Sequence, residues 1–261
     1  MTTDDPVLTS LDGGILTVTI NRPRRKNAID AATWIGLRDA FGLAGGSDVR
    51  VLVLTGAGGD FSAGADLSAG RGEDHPLRRM HEINDVALLL HELSVPTIAK
   101  ISGVAVGAGW NMALGCDLVV AATTARFSQI FAKRGLSLDF GGSWLLPKIV
   151  GLQQAKRLAL LAEIIDAPEA ERLGLVTYLV EPEELDKFVD DLAQRLAVAP
   201  PVAVAQSKAL LNENADRTLR DALASEARAQ SVNFATEDTR IAFRAFLDKT
   251  DAEYTGSWAV D

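Results

Sequence analysis

The sequence predicts an α/β fold, with strands and helices alternating over the first two-thirds of the chain and helices alone in the last third. Two observations carry this prediction. Short apolar runs with the length of buried strands recur between segments of helical periodicity. From about residue 183 onwards, the helical periodicity continues without further strand-like runs. No linker rich in Pro, Ser and Gly separates the two regions, so we expect them to pack together.

Residues typical of turns and helix caps mark where the first strands and the first helix begin. Residues 16–20 alternate in polarity, and the turn Asp12-Gly13-Gly14 before them predicts a hairpin with residues 7–10. Asp30 has the side chain of an N-cap and begins a helical pattern over residues 30–43. Residues 49–55 are apolar apart from Arg50 and Thr55, which is typical of a buried strand.

The later elements follow from the same two periodicities. Pro147 and Gly151 divide one helical region into two helices. Strands are predicted at 96–102, at 118–122 and up to 180, with an extended segment at 125–131. Helices are predicted at 77–93, from 110, 143–150, 153–162, 167–174, 183–197, 202–212, 219–233 and 237–249.

Composition limits the class of function. The chain has 261 residues, 48% of them hydrophobic, and a formal net charge of −9, so it can bury a large core but offers no basic face for a nucleic acid. No apolar run has membrane-spanning length and the acidic N-terminus does not resemble a signal peptide, which favours a cytoplasmic protein. Cys116 lies in an apolar stretch and is expected to pack in the core. The three histidines lack zinc-ligand spacing, so no metal is expected.

A glycine-rich turn in segment 103–117 is the strongest local pattern. Gly107-Ala108-Gly109 stand between an apolar run and a helix that is apolar nearly all round. The N-terminus of that helix leaves backbone N–H groups free, and its dipole adds partial positive charge. The turn can therefore hold an oxyanion or a polarised carbonyl, although taken alone it favours a close-packed strand-helix corner.

A second glycine-rich turn, residues 56–67, follows the strand predicted at 49–55 and can supply another backbone donor. Before it, residues 21–28 carry four basic side chains in an otherwise acidic chain: Arg22, Arg24, Arg25 and Lys26. Such a turn is either a solvated loop or a site for the phosphates of a ligand.

Together these motifs resemble the enoyl-CoA hydratase/isomerase (crotonase) family. The matching stretches are 21–28, 61–67, 103–117, 135–142, 169–176 and 200–208, in the family's order. The resemblance implies a spiral of β-β-α turns that forms an acyl-CoA-binding core (residues 1–197). A C-terminal helical region (198–261) would build homotrimers, often paired into hexamers. It also implies an acyl-CoA substrate and no cofactor besides the coenzyme A that the substrate carries.

The resemblance assigns a role to individual residues. The backbone N–H groups of Ala65 and Ala108 would form an oxyanion hole, with Ala108 standing where the family usually has glycine. The implied substrate-binding positions are Ala63, Asp66 and Leu67 at the adenine, Arg24, Lys26 and Ala28 near the nucleotide, and Phe246 and Lys249 from a neighbouring subunit. Gly107, Asn111 and Phe131 complete the predicted substrate-binding positions.

The two glutamates of family hydratases are missing. By resemblance they fall at Asn111 and, in a strand after Phe127-Ser128-Gln129, at Phe131. Asn111 can position a water or a substrate group but cannot take a proton, and Phe131 can only shape the pocket. Hydration needs a water activated between acid/base groups, so we predict weak or no activity of the usual hydratase kind.

One carboxylate remains in a matching loop, that of Asp139. The loop resembles that of the family's double-bond isomerases, including epoxyphenylacetyl-CoA isomerases, in which a single aspartate is the acid/base. Leu138 and Phe140 would desolvate Asp139 and raise its pKa, and Trp110, Phe131 and Phe140 would form an apolar wall. The loop by itself favours a helix cap before Ser143, whereas the resemblance favours catalysis.

The sequence therefore predicts an enoyl-CoA isomerase that works through a stabilised enolate, with Asp139 as its acid/base. Three alternatives stay open. Asp139 could be a nucleophile, as in the family's aromatic acyl-CoA dehalogenases, although these have tryptophan at the position of Phe131. The chain could be a hydratase that uses Glu73 or Asp74 from the loop at 68–75, or it could bind acyl-CoA without catalysis.

Overall fold

Nine strands form the framework of the computed structural model, which describes residues 5–69 and 75–259. Within that part of the chain the strands are Val7–Asp12 (β1), Ile15–Ile20 (β2), Val51–Gly56 (β3), Thr97–Ile101 (β4), Val104–Val106 (β5), Leu118–Ala122 (β6), Arg126–Ser128 (β7), Ile164–Asp166 (β8) and Tyr178–Val180 (β9). A larger sheet has the order β1-β2-β3-β4-β6-β9, and a smaller one has the order β5-β7-β8. Only the pairs β1-β2 and β7-β8 are antiparallel among these.

Nine α-helices surround the sheets in the same described ranges. They are Ala31–Leu43 (α1), Pro76–His91 (α2), Ala108–Leu114 (α3), Gly142–Leu161 (α4), Ala167–Arg172 (α5), Leu185–Ala197 (α6), Pro201–Asn214 (α7), Leu219–Phe234 (α8) and Glu237–Asp248 (α9). The predicted N-cap of α1 is confirmed, because Asp30 accepts a hydrogen bond from the Thr33 N–H at 2.9 Å. Helix α4 breaks at Gly151, where φ is 73° and ψ is 161°, as the sequence predicted.

The chain winds as a spiral in which each turn adds a strand to the larger sheet, then a strand or a single bridge to the smaller sheet, and then a helix. After β3, Ser62 pairs with Ala105 of the smaller sheet, and α2 follows. The next turn is β4, β5 and α3, and the third is β6, β7 and α4. The predicted spiral of β-β-α turns is therefore confirmed, and it brings the loops of successive turns side by side.

Two apolar cores hold this arrangement. The larger lies between the sheets and the inner helices, and it includes fully buried Phe41, Trp110 and Phe127. The smaller lies between the outer face of the larger sheet and α6, where Val189 and Leu192 cover Val53 and Val120. Cys116 is buried as predicted, with its Sγ 3.7 Å from the carbonyl oxygen of Met112.

The C-terminal helices begin after Ala197, where α6 ends. Helix α7 is attached to the core through Lys208, whose Nζ lies 2.8 Å from Asp117 Oδ2 and 3.0 Å from the carbonyl oxygen of Val95. No helix in the described ranges combines the length and apolarity needed to cross a bilayer.

Two short strands and one boundary differ from the sequence-based expectation. Strands β5 and β8 have three residues each and were not predicted. The extended segment expected over 125–131 ends at Ser128, and Phe131 lies in the 3-10 turn Ile130–Arg134. The prediction that placed Phe131 in a strand is therefore wrong, because pairing with β5 ends at Ser128.

Candidate active site

The turn between β5 and α3 presents a free backbone donor. Gly107 has φ 57° and ψ −128°, a combination that residues with a Cβ avoid, and its N–H donates to the carbonyl oxygen of Ser128 at 2.9 Å. Helix α3 begins at Ala108. As the first helical residue, Ala108 has no acceptor for its N–H within the helix, so this donor points out of the helix N-terminus.

Ala65 offers a second donor in the neighbouring turn. It forms a parallel bridge with Ile29, in which the Ile29 N–H donates to Gly64 and the Asp66 N–H donates to Ile29. In such a bridge the N–H of Ala65 points away from Ile29. The two turns touch, since a Cβ placed on Gly64 would lie 3.5 Å from the nitrogen of Ala108. Backbone contact through glycine thus brings the turns of both predicted donors together.

Asp139 lies in the loop before α4 and does not cap that helix. The N-cap is Gly141, and no side chain caps there. The Asp139 carbonyl oxygen accepts from the Gly142 N–H and from Asn111 Nδ2, both at 2.9 Å. Among the described residues, its buried Oδ1 has no hydrogen-bond partner. Burial raises the pKa of Asp139 to about 6, although the Asn111 amide lowers it in part, and this is the direction expected from the sequence.

Asn111 is fully buried, and both the nitrogen and the oxygen of its side-chain amide form hydrogen bonds within the protein. Its Nδ2 donates to the carbonyl oxygen of Asp139, and its Oδ1 accepts from Gln129 Nε2 at 2.8 Å. Gly142 packs directly on it, because a Cβ there would lie 2.6 Å from Asn111 Oδ1. Asn111 therefore holds the Asp139 loop, and its predicted role of positioning a water or a substrate group stays a prediction.

The apolar wall differs in part from the prediction. Phe131 is 5% exposed, and its Cζ lies 3.7 Å from where a Cβ of Gly107 would stand, so its ring borders the donor turn. Trp110 packs against Phe127 in the core, with ring centroids 5.3 Å apart. Phe140 stacks on Trp34 at 5.5 Å and has a φ of 46°, a strained value beside Asp139. Trp110 and Phe140 thus support the site from within the core.

The basic turn and the loop after β3 are joined by Arg22. Its Nη2 lies 2.8 Å from Asp30 Oδ2 and 2.9 Å from Asp66 Oδ2, and its Nη1 donates to the carbonyl oxygen of Ala28. Asp66 also accepts from the hydroxyl of Ser68. The Ser68 hydroxyl and backbone and the Arg22 guanidinium outweigh burial and lower the pKa of Asp66 to about 2.

The two segments also meet through Lys26. Its carbonyl oxygen accepts from the Ala63 N–H at 2.9 Å, and its Nζ pairs with Asp60 at 3.4 Å. The structure thus groups Lys26, Ala28, Ala63 and Asp66, with the exposed side chains of Arg24 and Leu67 nearby in sequence.

Other predicted residues are not joined to this group. Phe246 is 83% exposed on α9, which packs against α8, and Lys249 follows directly after the helix. No described contact links either residue to the turns of the site. Glu73 and Asp74, the alternative acids, lie outside the described residues.

Sequence reasoning missed two residues of this site. Arg22 was one of four basic residues in its turn, and nothing in the sequence distinguished it from the others. Gln129 carried no signal at all, because its partner Asn111 lies 18 residues away.

The sequence and the fold are similar to those of known proteins. The enoyl-CoA hydratase/isomerase family model matches residues 10–257. The chain is 34% identical to 1,2-epoxyphenylacetyl-CoA isomerase of Escherichia coli (strain K12), covering 96% of this chain and 98% of that protein. It is 37% identical to short-chain-enoyl-CoA hydratase of Clostridium acetobutylicum, covering 95% and 96%. The crystal structure of an enoyl-CoA hydratase from Bacillus anthracis has a TM-score of 0.92 at 28% identity, covering 97% of this chain and 100% of that one. The protein has the crotonase fold and belongs to the enoyl-CoA hydratase/isomerase family of acyl-CoA enzymes.

Proposed function

We propose that the protein is an enoyl-CoA isomerase in which Asp139 is the single acid/base group. The observation that carries this proposal is the state of the Asp139 carboxyl, which is mostly buried, lacks a hydrogen-bond partner for Oδ1 and has a pKa of about 6. A base with a pKa close to the working pH is ionised in a large fraction of molecules and still returns a proton readily. Asn111 and Phe131 supply no second acid.

The reaction needs one proton carried between two carbons. The Asp139 carboxylate takes a proton from C4 of a 2-enoyl-CoA, and the electron pair of that C–H bond forms a dienolate. Protonated Asp139 then returns the proton to C2, which leaves a 3-enoyl-CoA; the reverse direction uses the same steps. The charge on the thioester oxygen would be held by the N–H groups of Ala65 and Ala108, and each such donor can lower the barrier by ~3–4 kcal/mol.

Binding of coenzyme A is proposed at the joined turns. Lys26 and Arg24 would face the phosphates, and the backbone of Ala28, Ala63, Asp66 and Leu67 would line the adenine. The hydrogen bond between Ala63 and Lys26 and the Arg22 contacts support this, because they hold both segments in one place. Phe246 and Lys249 would reach the coenzyme A of a neighbouring subunit in a trimer. The reaction requires no further cofactor.

A hydratase is the second candidate, because the relative from Clostridium acetobutylicum carries that name. The two functions differ in whether water reacts with the substrate. A hydratase adds water to the double bond, whereas the isomerase excludes it, and the Phe131 ring beside Gly107 favours exclusion.

The test uses 2-enoyl-CoA and 3-enoyl-CoA substrates in heavy water, with products separated by mass. We expect the wild type to interconvert the isomers with deuterium entering C2 or C4. Asp139→Asn should bind a non-reactive acyl-CoA as before, because the shape is kept, while kcat falls ~10²-fold or more. Products heavier by one water would support the hydratase, and loss of halide from an aromatic acyl-CoA would support the nucleophile role. An Asp139→Asn variant that isomerises at the wild-type rate would refute the proposal.

A further inference from the structure

Three side chains from different parts of the spiral form one chain of contacts behind the proposed base. Gln129 follows β7, Asn111 lies on α3, and Asp139 lies in the loop before α4. Gln129 Nε2 donates to Asn111 Oδ1 at 2.8 Å, and Asn111 Nδ2 donates to the carbonyl oxygen of Asp139 at 2.9 Å. Gln129 and Asn111 are fully buried, so water does not replace either contact.

The contact with Gln129 decides which way the Asn111 amide faces. An asparagine amide has an acceptor at one end and a donor at the other. The donor of Gln129 requires the oxygen of Asn111 on its side, which leaves the Asn111 nitrogen for Asp139. With the amide reversed, the Asn111 oxygen would face the carbonyl oxygen of Asp139, and two acceptors would repel each other.

Gln129 holds this position although one polar atom of its side chain lacks a hydrogen bond. Its Oε1 is buried and has no hydrogen-bond partner among the described residues. A buried acceptor without a partner is destabilising, and in a native structure such a group calls for an explanation. The contact that its other end makes with Asn111 supplies one.

We propose that Gln129 is a positioning residue for the isomerase reaction, acting through Asn111 to hold the Asp139 loop against α3. This inference rests on the function proposed above. Gln129 touches no reacting atom. Its effect reaches Asp139 in two ways, through the place of the loop and through the Asn111 amide, which favours the ionised carboxyl.

The experiment compares Gln129→Met, which has similar length but no donor, with Thr55→Val as the control. Thr55 is also buried and also donates a hydrogen bond, from its hydroxyl to the backbone oxygen of Lys100 at 3.1 Å, but it lies outside the proposed site. We expect Gln129→Met to lower kcat ~10-fold or more, because small displacements of a catalytic group slow reactions strongly. KM should change little, and the acid limb of the kcat profile should move to higher pH. Thr55→Val should change none of these.

A double variant tests whether Gln129 acts through Asn111. When Asn111→Leu is present, adding Gln129→Met should change kcat little further, because the link is already broken. If the effects of the two substitutions instead multiply, Gln129 acts independently of Asn111 and the inference is wrong. Gln129→Glu, which keeps the shape but when ionised cannot donate, replaces Gln129→Met if that variant does not fold.

A measurement without turnover separates this inference from the proposed function. The carboxyl carbon of Asp139, labelled with carbon-13 and assigned through its loss in Asp139→Asn, reports the titration directly. Its pKa should rise in Gln129→Met and stay constant in Thr55→Val. This rise in a protein that isomerises nothing would refute the isomerase proposal and keep the link between Gln129 and Asp139. An unchanged titration together with unchanged kcat would overturn the inference.

Discussion

Two aspartates of this protein show how the surroundings of a carboxyl group shift its pKa in opposite directions. Asp66 accepts hydrogen bonds from Ser68 and pairs with Arg22, so its pKa falls to about 2. Asp139 is buried with one oxygen unpaired, so its pKa rises to about 6. The first carboxylate is stable as an anion and holds a loop in place, while the second gains and loses a proton near neutral pH.

The raised pKa of Asp139 makes a prediction about stability. A carboxyl whose pKa is higher in the folded than in the unfolded chain contributes stability below pH ~4, and this contribution is lost as pH rises through about 6. Asp139→Asn removes the loss, so above pH ~7 the variant should unfold with a free energy higher by roughly 2–3 kcal/mol at most, as ~1.4 kcal/mol applies to each unit of pKa.

Urea denaturation of wild type and Asp139→Asn at several pH values measures this difference. The difference should vanish below pH ~4, where Asp139 is protonated in both states. The exposed Asp85 on α2 provides the control, since Asp85→Asn makes the same chemical change without touching a buried carboxyl. A variant that is equally stable at pH 8 would mean that burial of the carboxyl is not destabilising.

At the scale of elements, the site depends on close approach between a helix and the next loop. Gly142, the first residue of α4, packs on the Asn111 amide of α3. Alanine is the better helix former by ~1 kcal/mol. A Cβ at this position would nevertheless lie 2.6 Å from Asn111 Oδ1, and such overpacking costs ~1–3 kcal/mol.

Gly142→Ala should therefore destabilise the protein and lower kcat, because the Asp139 loop must move away from Asn111. Gly42→Ala is the matched control, since Gly42 is also helical and nothing lies within 4 Å of a Cβ there. That control should gain up to ~1 kcal/mol of stability and keep its activity. Thermal denaturation and steady-state kinetics of both variants decide the matter, and equal behaviour would show that the contact with Asn111 is unimportant.

The link between the basic turn and the loop after β3 also belongs to this scale. Arg22→Met removes both ion pairs, and hydrogen bonds to charged groups contribute ~1.5–3 kcal/mol each. We expect acyl-CoA binding to weaken ~10-fold or more with little change in kcat, as measured by titration and kinetics. Arg38→Met, on the exposed face of α1, should leave affinity unchanged. An unchanged affinity in Arg22→Met would show that the loop holds its shape without this arginine.

At the scale of the whole molecule, the C-terminal helices expose more apolar surface than a monomeric protein usually does. On α9, Phe243 is 61%, Phe246 83% and Leu247 77% exposed, and on α8 Leu219 is 75% exposed. We predict that these faces are covered by other copies of the chain. Light scattering should give a mass of about 83 kDa, three times the 27.8 kDa chain, or twice that value.

Leu247→Glu should lower this mass, because a charge would be buried between subunits. Leu11→Glu, at an exposed position of β1, should leave it unchanged. A wild type that stays at 27.8 kDa at micromolar concentration would contradict the expected oligomer and, with it, the proposed role of Phe246 and Lys249.

Features of the protein that depend on neighbouring residues could be predicted from the sequence alone. The hairpin glycines Gly13 and Gly14 both have positive φ, Asp30 caps α1, and Gly151 divides α4. Each follows from the conformational limits of one residue or from a partner within one helical turn. The motifs shared with the family, which stand in the family's order along the chain, likewise predicted the spiral through the resemblance that they carry.

Only the tertiary structure decided what surrounds the functional groups. Strands β5 and β8 have three residues and exist because β7 pairs with both. Asn111 meets Asp139, 28 residues away, and Gln129, 18 residues away, and no sequence pattern predicted either contact. Arg22 was one of four similar residues until folding placed it against Asp66. Burial and hydrogen-bond partners arise from contacts between distant segments, and they determine the pKa values and orientations on which the chemistry depends.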